Sequence, residues 1–142
     1  MNSKSIVAAV AGAITTFVLG YLFYGLALAG FFEANAGSAT GYAKDIADVS
    51  LVAVFVGDLC GALLLTIIFS KWANINTFAS GAQAGAIFGL LVSLAFDLTM
   101  FGTTNAYNLT ATLVDPIIGA VRIAIGGGVI AMMLGRGSTS ES

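Results

Sequence analysis

Apolar residues dominate four long stretches of this chain, over residues 6–32, 49–70, 78–102 and 116–134. Small residues punctuate these stretches, and polar clusters separate them at 33–48, 71–77 and 103–115. A bilayer core about 30 Å thick takes roughly 20 apolar residues of helix, because a segment in lipid must satisfy its own backbone hydrogen bonds. Each stretch meets that requirement. The pattern therefore predicts an all-α membrane protein: a single domain over residues 1–142, folded as a bundle of four transmembrane helices and closed by a polar tail at 135–142. The fourth helix carries its own start signal, with Asp115 as N-cap and Pro116 at the first helical position, where a missing N–H costs nothing. The first stretch follows Lys4 and precedes Ala34-Asn35-Ala36, which resembles a leader-cleavage site. It is far longer than the roughly 7–15 residues of a secretory h-region, and reads as a retained helix.

Composition narrows the function classes. Hydrophobic residues make up 58% of the chain and charged residues 8%, a balance outside that of water-soluble domains. The net charge of −2 comes without any run of Lys or Arg, so the electrostatic footprint of nucleic-acid binding is missing. Histidine is absent, which removes the usual haem ligand, the commonest zinc ligand and the general base most used near neutral pH. No metal or other cofactor is expected, and no enzyme activity. Cys60 is the only cysteine and forms no intrachain disulfide. Lys4, Lys71 and Arg136 fall on one side of a four-span arrangement and Lys44 on the other, which predicts cytoplasmic N and C termini. By class, the expected location is a bacterial cytoplasmic (inner) membrane.

Helices in lipid gain little from apolar contact and associate where small residues let backbones approach. The third stretch carries Gly81, Gly85, Gly89, Ser93 and Asp97 at every fourth position, a small stripe that ends in a carboxylate. On the second, Gly57 and Gly61 flank Asp58; on the fourth, Gly119, Arg122 and Gly126 share a face. These glycines are expected to be helix-packing positions. The chain is about half the length of a typical secondary transporter, which favours a homo-oligomer or an accessory subunit of a membrane complex. Gly126-Gly127-Gly128 would weaken a helix by roughly 1 kcal/mol per residue relative to alanine, marking a bend, a close crossing or a ligand approach.

Asp58, Asp97 and Arg122 lie inside predicted spans, where a charge costs at least about 2.5–3.5 kcal/mol and must face protein or water. With spans bounded near Val49, Gly102 and Pro116, all three fall in the outer half of the bilayer at compatible depth. They are expected to form one cluster, Arg122 between two aspartates, with Tyr21 and Tyr24 as hydrogen-bond donors from the first helix. Two readings follow: an outward-facing site that binds or transports a small polar or ionic species, or a structural ion-pair network with no substrate. An intramembrane aspartyl protease fits poorly, because Phe55-Val56-Gly57-Asp58 lacks the Gly-x-Gly-Asp motif and an arginine between the acids would hold both ionised.

The run Phe17-Val18-Leu19-Gly20-Tyr21-Leu22-Phe23-Tyr24-Gly25, the opening Gly81-Ala82-Gln83-Ala84-Gly85 and the glycine-rich fourth helix together resemble a family of small bacterial four-span membrane proteins with no assigned activity. The resemblance implies the same four-span fold and supplies no function. Small multidrug exporters differ in carrying a glutamate within the first helix, whereas Glu33 stands at its outer end.

Overall fold

Every long helix of this chain starts at a side-chain cap. In the computed structural model, which describes residues 1–136, Asn2 accepts from the Ser5 amide (2.9 Å) and opens α1, Ser3–Gly20. Ser50 opens α3 (Leu51–Ile67), Thr77 opens α4 (Phe78–Thr103) and Asn108 opens α5 (Leu109–Gly135), each accepting from an amide three residues on. A short helix, α2, covers Ala29–Ala34. With their terminal π-turns, four spans are long and apolar enough to cross a membrane: Ser3–Ala27, Leu51–Ala73, Phe78–Thr103 and Leu109–Gly135.

Three boundaries differ from the sequence pattern. The first helix does not run to residue 32: it widens into a π-turn over Tyr21–Ala27 and breaks at Leu28 before α2 begins. The second runs past residue 70 through a π-turn, Ile68–Ala73, and stops at Asn74, whose left-handed backbone (φ 49°) ends helices. The fourth starts at Leu109, not Pro116. Asn108 caps the Ala111 amide (3.0 Å), so Asp115 is no cap but a side chain inside a helix that carries Pro116 in its interior. The tail expected at 135–142 begins one residue late, since Gly135 is helical, and residues 137–142 lie outside the described residues.

The spans alternate in direction, so the described termini and the 74–77 turn share one face (the terminal face). Residues 28–50 and 104–108 form the opposite, loop face. In space the order is α3, α1, α5, α4. α4 packs along α5, α1 packs against α5, and α3 packs against α1; α3 and α4, consecutive in the chain, scarcely touch. On the loop face, Gly37 N donates to Ala106 O (2.8 Å), Ala39 N to Asn105 O (2.9 Å) and Asn108 Nδ2 to Asn35 Oδ1 (2.9 Å), tying the two loops together.

Two ladders of small residues hold the bundle. Along α4 and α5, a side-chain carbon added at Gly81 would collide with Ala131, at Gly89 with Ile123 (2.8 Å) and at Gly119 with Ser93, while one at Gly127 would sit 3.2 Å from the Gly85 Cα. Each rung steps four residues along both helices in opposite directions, the repeat of an antiparallel small-residue contact. Along α1 and α5 the rungs are Gly12 with Ile130, Thr16 with Gly126 (2.6 Å to the added carbon) and Gly20 with Arg122 (3.0 Å). The Gly126-Gly127-Gly128 run is therefore a close crossing in three directions. Successive helical residues point about 100° apart. Gly126 admits Thr16 of α1, Gly127 admits the backbone of α4 at Gly81, and Gly128 admits the Phe78 ring.

Gly57 and Gly61 do not pack in this way. Both are exposed and an added side-chain carbon meets nothing within 4 Å, because the face of α3 that carries them looks toward α4 across an open gap. Gly85→Ala is expected to destabilise the protein by about 1–3 kcal/mol, since relief requires moving two backbones apart. Gly61→Ala is expected to stay within about 1 kcal/mol of the parent. Unfolding of the two variants in lipid micelles checks both.

Candidate functional site

The ionisable residues of the spans form two layers and not one cluster. The deeper layer is an ion pair. α5 runs from loop face to terminal face, and helical side chains lean toward the helix N-terminus. Arg122, whose backbone lies roughly 20 Å into α5, thus reaches back toward the loop face and meets Asp58, roughly 10 Å into α3. Its Nη2 pairs with Asp58 Oδ1 while its Nε donates to the Thr16 carbonyl (2.8 Å), joining α5, α3 and α1. Gly20 makes room for the guanidinium, since any Cβ there would press on it. The Asp58 side chain is 9% exposed. Its second oxygen, Oδ2, is buried with no hydrogen-bond partner among the described residues. The Thr16 hydroxyl lies within reach of the same carboxylate and of the Gly12 and Ala13 carbonyls (3.2 Å each).

Asp97 does not join this pair. It faces Asp115 instead. The placement follows from the α4–α5 ladder: after Gly81–Ala131, Gly85–Gly127, Gly89–Ile123 and Ser93–Gly119, the next rung of the same register is Asp97–Asp115. Tyr24, in the π-turn that ends the first span, is set against the Asp115 carboxylate. Tyr21 is not part of the site. It is 51% exposed, its ring lying over Gly25 on the outer side of the same turn. One buried oxygen of the pair, Asp97 Oδ2, has no hydrogen-bond partner among the described residues.

Aromatic rings cover this second layer from the loop face. Tyr24 packs on Phe32 (ring centroids 5.4 Å), Phe32 on Tyr107 (6.2 Å) and Tyr107 on Tyr42 (5.5 Å). Burial pushes the Tyr107 phenol above the usual tyrosine range, and the neighbouring Tyr42, Asp115 and Asp97 act in the same direction. The cover is held in place by the tied loops, as Tyr107 lies between Ala106, which accepts from Gly37, and Asn108, which bonds Asn35.

Sequence reasoning passed over Asp115, assigning it to a cap, and Gly20. The signal for Asp115 was present: Asp115, Gly119, Ile123, Gly127 and Ala131 recur at every fourth position, antiparallel to the Gly81–Asp97 stripe. The site contains no group of three or more metal-ligating side chains among the described residues. Its chemistry is that of two facing carboxylates and a phenol. Comparison of the chain with protein-family models, curated proteins and solved structures finds no match in any of the three.

Arg122→Gln would leave the buried Asp58 carboxylate without its cation and is expected to cost about 3–5 kcal/mol. The double variant Asp58→Asn/Arg122→Gln removes both charges and should recover most of that loss, as a double-mutant cycle in denaturant unfolding would show.

Proposed function

We propose that the protein binds a small cationic species, a proton or a monovalent cation, at the Asp97–Asp115 pair, and carries it between the loop face and the bundle interior. The observation that carries this reading is the way the charges divide. Arg122 is occupied by Asp58 and by the Thr16 carbonyl, so the two facing carboxylates have no cation partner among the described residues. Like charges in apolar surroundings are stable together only with a proton shared between them or a cation bound there. Acidic side chains within membrane spans commonly mark ion and proton paths. The structural reading applies to the other layer, where Asp58 and Arg122 fix the register of α1, α3 and α5.

Several further expectations belong to the same proposal. Lys4, Lys71 and Arg136 on the terminal face support cytoplasmic termini, which would make the loop face the outer one, in a bacterial inner membrane. The open face of α3 at Gly57 and Gly61 supports a homo-oligomer or an accessory role in a larger membrane complex. Membership of the small four-span family rests on the Phe17–Gly25 and Gly81–Gly85 motifs.

Flux of protons or sodium into vesicles reconstituted with the protein tests the reading. Asp97→Asn and Asp115→Asn are each expected to lower the flux at least about tenfold, the scale of one lost charge-assisted contact. Tyr21→Phe, on the outer side of the turn, should leave it unchanged. Equal flux in all variants would remove the carboxylate pair from the function.

A further inference from the structure

We infer that α2 is a gate over the Asp97–Asp115 pair, hinged at Leu28 and latched to the start of α5 through Asn35 and Gly37. The inference rests on the cation-binding reading of that pair and adds the step that admits the ion.

From water, the approach to the two carboxylates is through the loop face. Lipid flanks the spans and bars a bare charge. Toward the terminal face, α4 and α5 meet backbone to backbone at Gly89 and Gly119, and Arg122 adds a positive charge beneath the pair. On the loop face the rings of Tyr24, Phe32, Tyr107 and Tyr42 form the cover. Phe32 touches both Tyr24 and Tyr107, and it belongs to α2. Movement of α2 therefore takes the central ring out of the cover.

α2 itself is held lightly. None of its six residues, Ala29–Ala34, is buried, and Gly30 has open space beside it. Non-helical residues bound it on both sides, Leu28 (φ −118°, ψ 7°) and Asn35 (φ −109°, ψ 18°). Apart from its rings it packs mainly on the π-turn that precedes it. Segments with so little buried apolar contact open at low cost, and a few residues at element ends absorb the change in φ and ψ.

The latch is a set of loop hydrogen bonds. The Asn35 carbonyl accepts from the Asn108 amide (3.1 Å), its side-chain oxygen accepts from Asn108 Nδ2 (2.9 Å), and its own Nδ2 donates to the Phe31 carbonyl (2.9 Å). Gly37 N donates to Ala106 O, which pairs Ala36 with Tyr107 as a short antiparallel bridge. The fit is close, since a side-chain carbon added at Gly37 would collide with the Asn105 carbonyl. Asn108 also caps α5, so one residue both holds the gate and starts the helix that carries Asp115. Each such bond is worth little net against water, which makes the latch reversible.

A disulfide across the bridge tests the gate. Ala36 and Tyr107 occupy a non-hydrogen-bonded antiparallel position, where Cα atoms lie about 4.5 Å apart, a separation that a disulfide spans. Ala36→Cys/Tyr107→Cys is combined with Cys60→Ala, which removes the only native thiol. Labelling of Asp97 and Asp115 by a water-soluble carbodiimide is followed by mass spectrometry in oxidised and reduced protein. Oxidation is expected to slow labelling of both residues at least about tenfold, and proton or sodium flux into vesicles with it. Gly37→Ala, which forces the latch apart, is expected to speed labelling at least about fivefold, the scale of one lost hydrogen bond. Equal labelling of the oxidised and reduced forms, or parent-like labelling of Gly37→Ala, would overturn the gate. Labelling reports access alone, so the two claims separate. Flux that depends on Asp97 and ignores the disulfide would remove the gate and keep the cation reading, whereas gated labelling without flux would do the reverse.

Discussion

The close approach of α4 to α5 is the contact on which the other features of this protein depend. In lipid, exclusion of apolar surface does not draw helices together, so dispersion contact and weak backbone interactions must do so, and both fall steeply with distance. Gly81, Gly85 and Gly89 bring the α4 backbone against the carbonyls of Gly127, Ile123 and Gly119. The same helix α5 receives α1 through Gly126 and the Phe78 ring through Gly128. Three adjacent glycines would weaken an isolated helix, yet here each faces a different neighbour. The cost in helix propensity is offset by three contacts that no larger residue permits.

Register then decides the chemistry. A ladder whose rungs repeat every four residues places any side chain at its end opposite a defined partner. The α4–α5 ladder ends on Asp97 and Asp115, and the α1–α5 ladder ends on Gly20 and Arg122. Arg122 leans across the space left at Gly20 to reach Asp58, and Asp97 and Asp115 are left to one another. The division of charges is thus a consequence of backbone packing. The Asp58–Arg122 ion pair joins three helices, while the Asp97–Asp115 pair carries the proposed binding of a proton or cation. Among the described residues the buried Asp97 Oδ2 has no hydrogen-bond partner, in keeping with a proton or cation held at the second layer.

Much of this was legible in the amino-acid order. Four apolar stretches gave the four spanning helices, because length and hydropathy dominate in lipid, and the Gly81-to-Asp97 stripe identified the packing face of α4. The pairing of Arg122 with Asp58 followed from their being buried charges of opposite sign. What failed did so for physical reasons. Asp115-Pro116 has the local signature of a helix start, but Asn108 offers an equally good cap and residues 109–115 are helical under tertiary contact. Moving that boundary carried Asp115 into the span and lowered Arg122, and so separated Asp97 from the arginine. Tyr21 and Tyr24 were treated as neighbours on a regular helix. The π-turn alters the angle between them and turns Tyr21 outward. Gly57 and Gly61 showed that a small-residue spacing does not say whether a helix, another chain or a ligand occupies the face.

Among the described residues Asp58 has Arg122 as its cation, while Asp97 and Asp115 have none, and the proposed function rests on that division. Infrared spectroscopy of the protein in lipid, in buffer free of metal ions near neutral pH, reads protonated carboxyl groups from their carbonyl stretch. The account predicts one such band, lost in Asp97→Asn and in Asp115→Asn and retained in Asp58→Asn. A spectrum with no protonated carboxyl, or a band that disappears only with Asp58→Asn, would contradict it.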